Sequence, residues 1–259
     1  MKLAVSGKGG VGKTTVAGTL ARILAARGMR VFAIDADPDA NLASAIGVPL
    51  ETAAATRPIS EMSDLIRERT GAAPGESAPV YKMNPRVDDI PARMSAEAHG
   101  VRLLRLGTVK KGGAGCICPE SALLRALVSH LLLAEKDVVI VDMEAGLEHL
   151  GRATARGVDA MLVVVEPGRR SLQTAEAISR LAADIGIGRV ALVVNKVTGA
   201  DAGFCDRLEE KYDLLGCLSF DEEVRLADLN GQAPYDAAPR YATAVARVLD
   251  KLETAIAKT

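Results

Sequence analysis

The chain has 259 residues, of which 49% are hydrophobic and 25% charged, the balance of a protein with ample core and not of a disordered one. Its 32 Lys and Arg against 33 Asp and Glu leave a net charge of -1, without the basic excess of a dedicated nucleic-acid binder, and 3% aromatic residues with no Trp argue against a base-stacking platform. Residues 2–6 run straight into a glycine-rich loop, leaving no room for a signal peptide, and no uncharged apolar stretch reaches the roughly 18–20 residues that a bilayer requires. The expectation is a soluble, cytoplasmic protein without membrane insertion or a nucleic-acid ligand.

Apolar runs rich in Val, Leu and Ile recur at residues 2–6, 30–34, 101–106, 137–142, 159–165, 189–194 and 214–218. Helical periodicity marks 13–27, 59–69, 119–134, 171–185, 203–212 and 239–257. The runs are apolar at nearly every position, as strands covered on both faces must be, so an open, mainly parallel α/β sheet with helices on both faces is predicted. Residues 47–100 hold Pro49, Pro58, Pro74, Pro79, Pro85 and Pro91 and only one convincing helix, which reads as an insertion over the core of a single domain spanning 1–259. In the last helix Tyr241, Val245, Val248, Leu249, Leu252 and Ile256 form one stripe to pack on the sheet. Its polar face mixes Asp250 and Glu253 with Arg247 and Lys251.

Gly7-Lys8-Gly9-Gly10-Val11-Gly12-Lys13-Thr14, followed by Thr15, satisfies the phosphate-loop pattern between a predicted strand and a predicted helix. Glycines let backbone N–H groups close around phosphate oxygens, and the helix N-terminus adds positive potential. In this pattern Lys13 neutralises the β- and γ-phosphates and Thr14 holds Mg²⁺. Val138-Val139-Ile140-Val141-Asp142 is an apolar strand ending in a carboxylate, as a segment holding magnesium through water requires. Asp35 and Asp37 follow the second strand, where the C-terminal ends of an open sheet face the ligand crevice, and Asp35 can assist through magnesium-bound water. Asp39 beside them reads as a solvated cap.

The second lysine of the loop, Lys8, resembles the deviant phosphate loop of the MinD, ParA, Mrp and nitrogenase iron-protein class of dimeric ATPases. The resemblance implies that Lys8 reaches the phosphates of a partner subunit, that Asp37 orients the attacking water, and that Gly146, in Met143-Glu144-Ala145-Gly146, contacts the γ-phosphate as part of a second switch. It also places Asn195 and Lys196 at the adenine, where a carboxamide can donate and accept at once. A guanine site usually wants an aspartate two residues beyond the lysine; Thr198 stands there, favouring ATP and ADP. The backbone near Ser219, Phe220 and Asp221 is a candidate second wall for the base.

Lys110-Lys111-Gly112-Gly113-Ala114-Gly115-Cys116-Ile117-Cys118-Pro119-Glu120 is the most discriminating segment. Pro119 suits the first helical position, which sets Cys118 at the helix cap, where helix potential and Lys110 and Lys111 should lower its pKa. Two thiols at i, i+2 make a strained disulfide but half of a four-thiolate metal site, with the other half from a symmetry mate or from Cys205 and Cys217. These last two read by default as small buried hydrophobes, and the four cysteines together as reduced thiols.

Lys-Lys-Gly-Gly before Cys-x-Cys, with Glu148-His149-Leu150 after the Asp142 strand, resembles the CooC-type family, accessory ATPases that mature nickel-containing carbon monoxide dehydrogenase. The resemblance spans nearly the whole chain. It implies an ATP-dependent homodimer that holds nickel or zinc between its two Cys116 and Cys118 loops and delivers nickel to carbon monoxide dehydrogenase. An alternative is an electron-transfer reductase carrying a subunit-bridging [4Fe–4S] cluster, although the nitrogenase-type family spaces its cysteines far apart.

Overall fold

Consecutive strand residues point to opposite faces, so a run such as Val138-Val139-Ile140-Val141 must be covered on both sides. A computed structural model describes residues 1–74, 81–107, 118–133, 137–144, 155, 157–201 and 203–258. In chain order its elements are β1 (Lys2–Gly7), α1 (Lys13–Ala26), β2 (Val31–Asp35), α2 (Leu42–Ile46), α3 (Leu50–Ala55), α4 (Ser63–Thr70), α5 (Ile90–Met94), β3 (Ala96–Ala98), β4 (Val101–Arg105) and α6 (Pro119–Leu133). They continue with β5 (Val138–Asp142), β6 (Ala160–Val165), α7 (Arg169–Ile185), β7 (Val190–Val197), α8 (Phe204–Glu209), β8 (Leu214–Ser219), α9 (Glu222–Leu229), α10 (Pro234–Ala237) and α11 (Pro239–Ala257).

The strands form one open sheet in the order β3-β4-β2-β5-β1-β6-β7-β8, parallel throughout except for β3, which runs antiparallel to β4. Val139 and Val141 of β5 and Met161, Val163 and Val165 of β6 face a core built with α4, α6 and α7. Val138, Ile140, Ala160, Leu162 and Val164 face the opposite core, closed by α1 and α11. The predicted stripe of α11 holds: Tyr241, Val245, Val248, Leu249 and Leu252 are buried, and Ile256 packs partly buried beside them. Each such burial stabilises by roughly 1.5–3 kcal/mol, enough to dock the helix without help from its caps.

All seven predicted strands are present, and the open, mostly parallel sheet is as expected. Three expectations change. The helix expected at 59–69 begins as a 3₁₀ turn, Ile59–Glu61, and breaks at Met62, whose ψ of 73° is not helical, before α4 starts. The helix expected at 203–212 stops at Glu209. Residues 47–100, expected to hold one convincing helix, contain besides α4 the elements α3, α5 and the edge strand β3, each too short to show a period. Among the described residues, no helix is long and apolar enough to cross a membrane.

Candidate functional site

The strand order brings β2, β5 and β1 side by side, so the loops at their C-terminal ends share one crevice, the position where open α/β sheets bind ligands. β1 ends in the glycine loop, and the residue before α1, Gly12, has φ 90° and offers no side-chain cap. The first amides of α1 are therefore left open toward the crevice, a phosphate-binding arrangement. Gly12 fits where nothing larger can. An added Cβ would lie 2.3 Å from Asn195 Nδ2, on top of a left-handed φ. Gly12→Ala should therefore destabilise the protein by about 1–3 kcal/mol and lose nucleotide binding, whereas Gly9→Ala, whose methyl meets nothing within 4 Å, should keep wild-type stability. Urea unfolding and nucleotide titration of both variants check this.

Lys13 is buried and its Nζ lies 2.6 Å from Asp37 Oδ2, itself only 4% exposed. Asp37 Oδ1 accepts the Asp39 N–H at 3.0 Å, which fixes the carboxylate's orientation, while Asp39 is exposed as expected. Asp35 and Asp142 are register partners on β2 and β5 and are both buried. Burial first, then the neighbouring Asp142 charge, raises Asp35 to about 7; burial likewise raises Asp142 to about 6, against the pull of the Thr14 hydroxyl and Lys13. Neither oxygen of Asp142 has a well-formed hydrogen bond. Two orphaned carboxylate oxygens beside the Thr14 hydroxyl are the oxygen donors a hard cation takes, with the Lys13 ammonium left to the phosphates, so the residues fit Mg²⁺.

Ser6 Oγ donates to the Glu144 carbonyl at 2.8 Å and ties the glycine loop to the segment after β5. Gly146, Glu148 and His149 lie outside the described residues. Lys8 is exposed at the rim of the loop, with Gly9 and Gly10. Thr14 and Thr15 are half-buried in the first turn of α1.

Asn195 is buried, and its carboxamide is engaged at both ends: Nδ2 donates to the Val11 carbonyl at 2.9 Å, and Oδ1 accepts from Tyr241 Oη at 3.4 Å. Lys196, at φ 59°, donates from Nζ to the Gly10 carbonyl at 2.5 Å. Both residues thus brace the phosphate loop from β7, and Tyr241 from α11 completes the brace. Nothing in the sequence marked Tyr241 as anything but an apolar stripe residue, because its partner is 46 positions away.

Cys118 sits immediately before α6, with Sγ 3.1 Å from Ser121 Oγ. The expected lowering of its pKa is reversed: partial burial pushes the thiol up, and Glu120 adds to this against the Ser121 contacts. Cys116, Lys110 and Lys111 lie outside the described residues. Cys205 and Cys217, read from the sequence as separate thiols, form a disulfide. α8 packs along β8 and sets their Cα atoms 6.6 Å apart, within bridging reach, so this pair offers no thiolates to a metal.

Residues 2–235 match the family of CobQ/CobB/MinD/ParA nucleotide binding domains. The carbon monoxide dehydrogenase accessory protein CooC of Rhodospirillum rubrum is 51% identical over 240 residues, 92% of this chain and 91% of that protein. The ATP-binding protein MJ0823 of Methanocaldococcus jannaschii is 45% identical over 90% of each chain. In structure, the septum site-determining protein MinD of Pyrococcus horikoshii, complexed with Mg-ADP, aligns over 100% of both chains with a TM-score of 0.64 at 19% identity.

Proposed function

The chain belongs to the MinD/ParA nucleotide-binding family and to its CooC-type ATPases, and on that premise we propose that it couples ATP binding and hydrolysis to nickel delivery. The client is carbon monoxide dehydrogenase, and the working form is a homodimer. The observation that carries this reading is a relative named as an accessory protein of that enzyme, similar from end to end and not in the phosphate loop alone.

Lys13 is paired with Asp37 across the crevice. Incoming β- and γ-phosphates compete for Lys13, which frees Asp37 to orient the attacking water. Thr14 and Asp142, the latter through water, hold Mg²⁺, which when bound neutralises phosphate charge. Gly7 through Thr15 cradle the phosphates; Asn195 and Lys196 hold the loop toward the base, and Gly146 contacts the γ-phosphate. Lys8, exposed at the rim, enters the partner's site and supplies charge in trans.

Cys116 and Cys118 from two subunits make a four-thiolate site for nickel or zinc. Coupling runs through α6. A crossover helix runs back from the C-terminal edge of the strands, so Cys118 at its start lies at the same edge as the nucleotide crevice. At its other end Lys2 of β1 donates from Nζ to the carbonyls of Leu131, at 3.3 Å, and Asp137, at 2.8 Å. The reductase alternative is not favoured by these similarities.

Anaerobically purified protein incubated with nickel and ATP should contain about half a nickel per chain, in a dimer free of acid-labile sulfide. Cys116→Ser and Cys118→Ser should each lose that metal, and Lys8→Ala should keep nucleotide binding but stay monomeric by light scattering. Iron and sulfide near four per dimer would overturn the proposal.

A further inference from the structure

β8 is the last strand of the sheet, and among the described residues nothing pairs with its outer edge. Leu214 to Ser219 contain neither the charge nor the proline that commonly protects an edge strand, and the protection present is the shifted register of β8 against β7 near Val193 and Val197. Beside this edge a groove of about 730 Å³ runs between β8 and α11. Three exposed cations of α11 line it: Arg240, Arg247 and Lys251. At 100° per residue the three fall within about 40° of one another around the helix, so they form a single row.

The row pairs with no acid of its own helix, and the groove's acids, Asp221, Glu222 and Glu223, come from the segment after β8. The acids of α11 are turned the other way, where Asp250 and Glu253 pair with Arg27 of α1 at 2.6 and 3.1 Å. At the groove's upper end Glu222 is held by Arg225, and Asp221 caps α9 by accepting the Glu223 N–H. Among the described residues Arg240, Arg247 and Lys251 make no ion pair. The mixed polar face expected from the sequence of α11 is therefore split by the fold into an acidic side against α1 and a basic side along the groove.

The spacing selects a ligand conformation. Arg247 and Lys251 stand about 6 Å apart along the helix, close to the roughly 6.6 Å between alternate residues of an extended strand. Arg240 stands about 10 Å beyond Arg247, the length of about three strand residues, so it lies outside the alternation and lengthens the cationic row. The geometry points to a docking site for an extended acidic segment of a partner protein, added as a parallel or antiparallel strand to β8, with carboxylates at two alternate positions on Arg247 and Lys251 and Arg240 meeting the flanking acidic charge. Main-chain hydrogen bonds supply affinity, and the cation row excludes basic strands and so sets specificity.

The test uses the full chain with its nucleotide site saturated by Mg-ADP, so that an anionic probe does not enter the phosphate loop. The probe is a fluorescent peptide, acetyl-Thr-Glu-Val-Glu-Val-Glu-Thr-amide, followed by anisotropy, with hydrogen exchange read over residues 214–219. Saturable binding, slowed exchange on β8 and a more than tenfold loss in the R240E/R247E/K251E variant are expected, with ATPase activity and melting temperature unchanged. R247E alone, measured in parallel, should weaken binding severalfold and keeps the test decisive if the triple variant does not fold. Failure to saturate, equal binding of the Lys-for-Glu peptide, or protection away from β8 overturns the proposal. So does binding of a single-stranded oligonucleotide that the triple variant loses when the peptide does not bind at all.

Discussion

Lys13→Ala should lower ATPase activity by about 10³-fold or more, and should also destabilise the nucleotide-free protein by about 3 kcal/mol. The first effect follows from losing the ammonium that meets the β- and γ-phosphates. The second is specific to this crevice. Lys13 is the only partner within ion-pair distance of Asp37 among the described residues, and Asp37 is buried close to Asp35 and Asp142. Removing the ammonium leaves Asp37 buried without an ion-pair partner beside Asp35 and Asp142, the situation in which breaking a buried pair costs most. Lys13→Ala/Asp37→Ala should recover stability to within about 1 kcal/mol of the parent and recover no activity. Urea unfolding of the two variants beside a phosphate-release assay separates the effects. Equal stability of the single and double variants would show that the pair carries no weight in the free protein.

Asp142→Asn should cost about 10²–10³-fold in Mg²⁺-dependent ATPase activity, and at the same time change how stability depends on pH. In the folded protein Asp35 titrates at about 7 and Asp142 at about 6, against an ordinary value of 3.8. Between about pH 4 and pH 7 the folded state therefore keeps protons that the unfolded chain has released. Folding is favoured most by this pair at the acid end, and its contribution is lost as pH rises through the folded values. The metal-free protein should be less stable near pH 8 than near pH 5. Asparagine at 142 removes one buried charge and the repulsion that helps raise Asp35, so the profile should flatten and stability near pH 8 should rise by about 2 kcal/mol. Added Mg²⁺ should stabilise the parent near pH 8 and leave the variant unmoved. Denaturant midpoints at the two pH values, with and without the ion, give all four comparisons.

The short-range chemistry of the molecule was legible residue by residue. Gly7 to Thr14 between an apolar run and a helical period announced a phosphate loop because each step, strand, glycines, helix start, is set within a few residues. The continuous apolar character of β5, β6 and β7 announced a sheet covered on both faces for the same local reason. Lys-Lys-Gly-Gly with Cys-x-Cys marked the family, which the whole-length similarity bears out. Short elements escaped: β3 has three residues and α2 five, less than two helical turns or strand repeats, so no period could form.

Tertiary structure decided everything that depends on strand order. The sequence placed Lys13, Asp37 and Asn195 after three different strands, but only the order β2-β5-β1-β6-β7 brings Asp37 to 2.6 Å from Lys13. Only that order lays Asn195 over Gly12, across 184 positions from its partner Val11. Burial, which no single position reveals, raised Cys118 where local charges suggested the opposite, and the packing of α8 on β8 joined Cys205 to Cys217. The same holds for α11, whose mixed charges became two separate faces only when Arg27 claimed the acidic one. Local sequence sets backbone preference and side-chain chemistry over a turn or a strand, whereas charge neutralisation, desolvation and thiol pairing are set by neighbours that only the folded sheet brings close.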